Sequence, residues 1–166
     1  AYLPSLSDGA FDDPRARIVI ADGARYVAEC QDRYDVVIVD STDPQGPGAV
    51  LFTEDFYRHC RRLLRPGGVM TTQCGNPAMH PGELVETQAR QRAAGFAAVS
   101  YYFAPVPTYV GGSMALGFAT DDPARLAVAP ETLWQRALPP GLRHYTPGIH
   151  AGAFAHPAWM AERVGY

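Results

Sequence analysis

The sequence predicts an α/β fold with an open sheet covered by helices. Short β-branched segments alternate with amphipathic segments in the order βαβαβαββ, which is typical of such sheets. Residues 36–39 are continuously apolar, as expected of a strand buried on both faces. Polar, turn-forming residues follow each predicted strand, which separates the strands from the helices.

The first half of the chain contains two predicted strands and two predicted helices. Residues 17–22 (RIVIAD) and 34–40 (YDVVIVD) form the strands, and a short helix covers residues 24–31 between them. The second helix spans residues 53–64, with Thr53 as its N-cap, and the sequence Pro-Gly-Gly is expected to stop it.

The second half is predicted to contain a strand, a helix and a final pair of strands. The strand covers residues 69–74, and the helix covers residues 82–94. Strands at residues 98–103 and 113–120 flank a turn. The inward face of the helix is predicted to carry Leu84, Val85, Ala89 and Ala93.

Composition limits the classes of function. The chain has 166 residues, a net charge of −3 and 47% hydrophobic residues, which suits one domain with a core and argues against a nucleic-acid surface. No apolar run reaches the ~20 residues of a membrane helix. All 14 basic residues are Arg, so the chain offers no lysine for a Schiff base or a P-loop. Cys30, Cys60 and Cys74 lack metal-ligand spacing and are expected to be reduced thiols in a cytoplasmic protein.

Acidic residues at the strand ends are the main chemical signal. Asp22 and Asp40 end two apolar strands, and Asp43 follows on the next loop. Ligands bind beyond the carboxyl ends of strands in open α/β sheets, so these carboxylates are expected to form a pocket for a cationic ligand. Helix caps and turns are the alternative roles for each Asp, and a Mg²⁺ site is another, although no metal site is predicted.

Several segments resemble one enzyme family. Residues 40–47 (DSTDPQGP) are similar to the D-[SC]-[ST]-D-P-x-G-P signature of the polyamine aminopropyltransferases, the spermidine synthases. Further similar segments, in matching order, are 12–15 (DDPR) with the Asp-Gly at 22–23, 51–57 (LFTEDFY), 107–112 (PTYVGG, the bacterial form) and 144–150 (HYTPGIH). Because the matches extend over nearly the whole chain, the resemblance is specific.

The resemblance implies a fold and a reaction. The fold is the Rossmann-like, S-adenosylmethionine-dependent methyltransferase type. The reaction moves an aminopropyl group from decarboxylated S-adenosylmethionine, as co-substrate, to putrescine, and gives spermidine and methylthioadenosine. No tightly bound cofactor is implied, and neither nucleic acid nor membrane is a partner. The full-length enzyme is expected to be a cytoplasmic homodimer.

The resemblance also implies a role for individual residues. Asp40 is the catalytic base, and Asp43 anchors the amine ends together with the hydroxyl of Tyr109. The residues expected to bind the nucleotide part of the co-substrate are Asp22, Gly23 and Pro47. The residues expected to bind the substrate are Asp40, Ser41, Thr42, Asp43, Tyr109 and Gln73.

The chain departs from the family pattern at its front and after Gln73. The family's N-terminal β domain, glycine-rich loop and first two strands have no counterpart, so residues 1–166 are expected to be a partial nucleotide-binding catalytic domain. The strand at residues 17–22 should then face a gap or pair with residues 34–40. Asn76 and Pro77 stand where the family often has an acidic residue. Two alternatives follow: a catalytically incomplete fragment or paralogue that acts as a binding partner, and a small-molecule methyltransferase.

Overall fold

A four-stranded mixed sheet organises the chain, whose residues 4–165 are described by a computed structural model. The strands are β1 Tyr34–Val39, β2 Leu64–Gln73, β3 Ala98–Pro105 and β4 Ser113–Thr120, in the spatial order β1-β2-β4-β3. β1 and β2 are parallel, and β4 runs antiparallel to both of its neighbours. The predicted α/β fold, its parallel pair and its final strand pair are confirmed.

The helices lie between and after the strands. Their bounds are α1 Pro4–Ser7, α2 Gly23–Glu29, α3 Glu54–Arg62, α4 Pro81–Ala93, α5 Pro130–Trp134, α6 Pro147–Ala153 and α7 Ala158–Val164. Short 3₁₀ turns cover Ala10–Asp12, Gly46–Phe52 and Pro123–Arg125. None of the helices described in residues 4–165 is both long and apolar enough to cross a membrane.

Helix α3 packs as its sequence predicts. The Thr53 hydroxyl accepts a hydrogen bond from the Phe56 amide at 3.2 Å, which caps the helix. Phe56 and Cys60 are buried in one core cluster with Met70 of β2. Arg62 donates from its guanidinium to three carbonyl groups at the end of α2, so the two helices are also tied by hydrogen bonds.

Helix α4 buries a different face from the predicted one. Leu84 is fully buried, but Ala89 and Ala93 are exposed, and Gln88 and Gln91 take the inward positions. The apolar spacing was therefore a poor guide here, because the helix buries amide side chains together with one leucine. The prediction of an all-apolar inner face was wrong.

The predicted strand at residues 17–22 is not a strand. Residues 16–20 form neither helix nor strand and pair with no strand among the described residues, and Ile20 is 99% exposed. Of the two arrangements expected for this segment, a gap beside it or direct pairing with β1, the direct pairing is absent. β1 is instead an edge strand, so the prediction of burial on both faces was also wrong, since Val36 is 50% and Ile38 72% exposed. Strand propensity alone did not make residues 17–22 a strand, because the hydrogen bonds of a strand require a neighbouring strand.

Strand β2 begins five residues earlier than predicted. Pro66, Gly67 and Gly68 belong to the strand, although they also follow the end of α3. Tyr34 pairs with Leu64 and Val36 with Val69, and the register shift between them absorbs the extra residues. The irregularity lies at the start of the parallel pair, so the carboxyl ends of β1 and β2 stay in regular register.

Candidate active site

The ends of β1 and β2 bring two of the predicted site residues to one edge of the sheet. The strands are parallel, and Val39 pairs with Thr72 at their last paired position. Asp40 follows β1 directly, and Gln73 is the last residue of β2. The two side chains therefore belong to adjacent backbone positions, about one strand spacing of ~4.8 Å apart.

Gln73 connects the strand edge to the loop that follows β1. Its side chain is buried, and its amide nitrogen donates to the Asp43 carboxylate and to the Ser41 carbonyl, both at 3.3 Å. Its amide oxygen accepts from the Gly75 amide at 2.5 Å. A single glutamine thus holds Asp43, the loop backbone and the segment after β2 together.

The loop after β1 is folded tightly against itself. A Cβ atom on Gly48 would lie 2.6 Å from the Thr42 hydroxyl and 3.2 Å from the Asp43 carbonyl oxygen, so this position requires glycine. Ser41 is half-buried, and its hydroxyl has no hydrogen-bond partner among the described residues. Pro47 is exposed within the 3₁₀ turn. The loop is compact and buries this unpaired hydroxyl oxygen beside the strand edge.

Asp40 lines two cavities at once. A cleft of about 750 Å³ extends from Asp40 and Ser41 to Gly23 on the side of α2. A smaller cavity of about 320 Å³ extends from Asp40 across β2 to Gln73 and Tyr109. Asp40 is exposed and belongs to the lining of both cavities, so groups bound in either one lie beside the same residue.

Asp22 has the capping role that the sequence left open. Its carboxylate accepts from the Arg25 amide at 3.0 Å and caps α2. It lies outside the lining of both cavities, whereas the next residue, Gly23, lines the larger one. A Cβ on Gly23 would meet only Leu51, at an ordinary distance of 3.7 Å. Packing within the chain therefore does not require glycine at this position.

The loop between β3 and β4 carries Tyr109 to the smaller cavity. Backbone hydrogen bonds from Tyr109 to Val106 and from Gly112 to Tyr109 close the loop at 3.0 and 2.9 Å. The Asn76 side chain donates to the Val110 carbonyl and fastens the loop to the segment after β2. Tyr109 lines the smaller cavity and is 55% exposed, so it is not part of the core.

Two residues near the site were missed at the level of sequence. Tyr102 lines the smaller cavity and has its hydroxyl 3.1 Å from that of Thr71. Glu83, in the first turn of α4, is half-buried beside Gly75. Burial raises the pKa of Glu83, and the charge of Asp43 raises it further, against a lowering effect of His80. Neither residue lies in a recognisable motif.

Acidic groups at this edge do not gather into a metal site. Among residues 4–165, no group of three or more His, Cys, Asp or Glu side chains has the arrangement that could hold a metal ion. The site therefore consists of separate carboxylates, an amide, hydroxyls and an aromatic side chain around two cavities.

Comparison with known proteins assigns the family. The sequence profile of the spermine/spermidine synthase domain matches residues 1–127. The chain belongs to the spermine/spermidine synthase family. It is 46% identical over 166 residues to polyamine aminopropyltransferase 1 of Pseudomonas aeruginosa, and this match covers 99% of the chain and 58% of that protein. It is 48% identical over 163 residues to the polyamine aminopropyltransferase of a Ruegeria species, covering 97% of the chain and 57% of that protein.

Solved structures of spermidine synthases share the fold. A spermidine synthase in complex with the transition state analogue AdoDATO has a TM-score of 0.84 and 35% identity, over 99% of this chain and 55% of that one. The spermidine synthase of Thermotoga maritima has a TM-score of 0.81 at the same identity, over 99% of this chain and 54% of that one. The Rossmann-like, methyltransferase-type fold is therefore confirmed, and the chain spans a little over half the length of the relatives that it matches.

Proposed function

We propose that residues 1–166 form the nucleotide-binding catalytic part of a spermidine synthase. The enzyme transfers an aminopropyl group from decarboxylated S-adenosylmethionine to putrescine and releases spermidine and methylthioadenosine. The observation that carries this proposal is the position of Asp40 between two cavities. A transfer between two substrates needs such a junction, because the donor carbon and the acceptor nitrogen must meet beside one base.

The larger cleft suits the donor. Gly23 and Ser41 line it together with Asp40, and its volume of about 750 Å³ is in the range of small-molecule sites. The second oxygen of Asp22 accepts no hydrogen bond from the described residues and is assigned to the adenine amino group. Pro47, exposed on the loop, is assigned to packing on the adenine ring.

The smaller cavity suits the acceptor. Asp40, Gln73 and Tyr109 line it, and Gln73 holds the Asp43 carboxylate close by. Protonated amines bind well where carboxylates and hydroxyl groups converge, because charge-assisted hydrogen bonds are stronger than neutral ones. Ser41, which lines the larger cleft, and Thr42 beside it on the loop are assigned to substrate binding on the family relationship.

The chemistry follows from the state of the acceptor. Putrescine carries amines with pKa values near that of lysine, ~10, so it arrives protonated and without a nucleophilic lone pair. Asp40 takes a proton from the nitrogen that attacks the carbon beside the sulfonium. The new N–C bond forms as the C–S bond breaks, and methylthioadenosine leaves as a neutral thioether. The proton remains with Asp40 until it is released to solvent.

The remaining assignments rest on the family relationship. No tightly bound cofactor is part of the reaction, since the sulfonium donor is itself the activated reagent. The enzyme is assigned to the cytoplasm, and the whole protein is proposed to act as a homodimer without nucleic-acid or membrane partners.

The test is product formation by the whole gene product that carries this chain. With decarboxylated S-adenosylmethionine and putrescine, stoichiometric methylthioadenosine and spermidine are expected in mass spectrometry. Ordinary S-adenosylmethionine is expected to give no methylated amine. A folded protein that forms neither spermidine nor methylthioadenosine would contradict the proposal. Methyl transfer from S-adenosylmethionine would indicate a methyltransferase instead.

A further inference from the structure

A further cavity, of about 340 Å³, lies between the sheet and the helices α5 and α6. Val69 of β2 and Phe118 of β4 line it from the sheet, and Leu133 of α5 and Ala151 of α6 line it from the helices. It shares no lining residue with the two cavities at Asp40. Its volume is in the range of small-molecule sites, and the proposed aminopropyl transfer gives it no role.

The lining of this cavity is cationic. Arg125, Arg136 and His150 belong to it, and no Asp or Glu does so among residues 4–165. Arg125 has a counter-charge, because its guanidinium lies 3.5 Å from the Asp122 carboxylate. The Arg136 side chain makes neither an ion pair nor a hydrogen bond with the described part of the chain. One guanidinium at the cavity is therefore left without an anion.

The charge of Arg136 acts on the cavity. Burial lowers the pKa of His150, and the positive charge of Arg136 lowers it further, so the two side chains are within electrostatic reach of each other. The imidazole is also held in place, since its Nδ1 lies 3.1 Å from the Tyr145 hydroxyl. An anion bound here would supply the charge that Arg136 lacks, and a carboxylate can accept two parallel hydrogen bonds from one guanidinium.

The rest of the lining is apolar and partly aromatic. Phe118 and Phe154 meet edge to face with their ring centroids 5.8 Å apart, and His150 stacks on Phe154 at 5.5 Å. Aromatic rings favour such arrangements with one another, so a further ring can pack against this wall. An inorganic anion would leave the wall without a contact, whereas an organic acid with an aromatic body would use both the wall and the guanidinium.

We propose that this cavity is a binding site for a small aromatic carboxylate, whose carboxylate group pairs with Arg136 and whose ring packs against Phe154. The proposal gives the segment at residues 144–150, which carries His150, a role in ligand binding that the aminopropyl transfer does not give it. It stands apart from that transfer, because the cavities of the two sites share no residue.

The experiment measures binding of 3-phenylpropanoate to the whole gene product by isothermal titration calorimetry. A Kd of about 0.1–1 mM is expected for one charge-assisted pair and one buried ring. Two control ligands separate the contributions: 3-phenylpropanamide keeps the shape without the charge, and inorganic phosphate keeps a charge without the ring. Each should bind at least about tenfold more weakly. Absence of binding by the acid, or equal binding by either control, would overturn the proposal.

Variants locate the ligand. Arg136→Gln should raise the Kd of the acid about tenfold, whereas Arg92→Gln, at an exposed position of α4 outside the cavity, should match the wild type. Ala151→Leu, which adds volume to the cavity without changing its charge, should also weaken binding. Circular dichroism checks that each variant folds. If Ala151→Leu does not fold, the exposed pair Arg136→Gln and Arg92→Gln carries the test.

Two results would refute this location. Wild-type affinity in Arg136→Gln, or an equal loss in Arg92→Gln, would exclude the pairing with Arg136. Saturating methylthioadenosine and 1,4-diaminobutane should leave the Kd of the acid within about twofold, and competition by either would place the acid in the cavities at Asp40. An active enzyme that does not bind the acid would overturn only this site, and a protein that binds the acid without aminopropyl transfer would overturn only the proposed function.

Discussion

Replacing Gln73 should disconnect the loop after β1 from the sheet edge. Gln73→Met removes the charge-assisted hydrogen bond to Asp43, which contributes about 1.5 kcal/mol to stability. It also removes the long hydrogen bond to the Ser41 carbonyl, which contributes about 0.5 kcal/mol. The buried Gly75 amide loses its acceptor, at about 1 kcal/mol. We therefore expect the free energy of unfolding to fall by about 3 kcal/mol in total.

A second variant, Gln73→Glu, should lower the free energy of unfolding by an amount that depends on pH. Gln73→Glu keeps an acceptor for Gly75 but sets a buried carboxylate against Asp43, which raises the pKa of the introduced group above its unfolded value. The protonated form is then favoured by folding, so stability is present below the unfolded pKa and is lost as the pH rises through the folded one. The deficit of Gln73→Glu should be larger at pH 7 than at pH 5, whereas that of Gln73→Met should stay constant.

Urea unfolding of the whole gene product, followed by circular dichroism at both pH values, measures these differences. Gln135→Glu, at an exposed position, is the matched control and should change stability by less than about 0.5 kcal/mol. If Gln73→Met stayed within about 0.5 kcal/mol of the wild type, the hydrogen-bond account of this loop would be wrong.

Two other predictions concern packing and titration. Gly48→Ala should destabilise the protein by about 1–3 kcal/mol and lower kcat/KM, because its Cβ would meet Thr42; Gly82→Ala, with open space around it, should be neutral or stabilising. Equal unfolding midpoints and kcat/KM values for the two variants would refute this. Burial raises the pKa of Cys60 and of Cys74 to about 12, so stability should fall as the pH rises above the unfolded thiol value of ~8.5. Iodoacetamide labelling at pH 8.5, located by peptide mass spectrometry, should spare Cys60 and Cys74 until the protein unfolds, and rapid labelling of either thiol in the folded protein would contradict their burial; Cys30, which is half-buried, is the internal comparison.

Local signals predicted those elements whose stability is itself local. Thr53 and the acidic residues after it marked the start of α3 correctly, because an N-cap acts within one helical turn. The segment at Ile18 to Ile20 has equal strand propensity, yet it pairs with nothing described, since pairing depends on a distant partner. The same reason explains why Val36 and Ile38 are exposed on an edge strand.

The candidate site was predicted in part. The strand-end rule correctly brought Asp40 and Gln73 to one edge, because parallel strands align their carboxyl ends. It did not find Glu83, whose proximity depends on the left-handed backbone of Gly75 and on the placement of α4. It also did not show that Asp22 caps a helix, because a cap and a ligand contact use the same side chain.

The role of Asp40 is tested most directly by comparing single-turnover rates of Asp40→Asn and Asp43→Asn in the whole gene product. Loss of a general base is expected to lower the rate of aminopropyl transfer by about 10²–10⁴-fold in Asp40→Asn, with the fold retained. Asp43→Asn should mainly raise the KM of the acceptor, because Asp43 anchors the amine. A near-normal rate of methylthioadenosine formation in a folded Asp40→Asn variant would contradict the account.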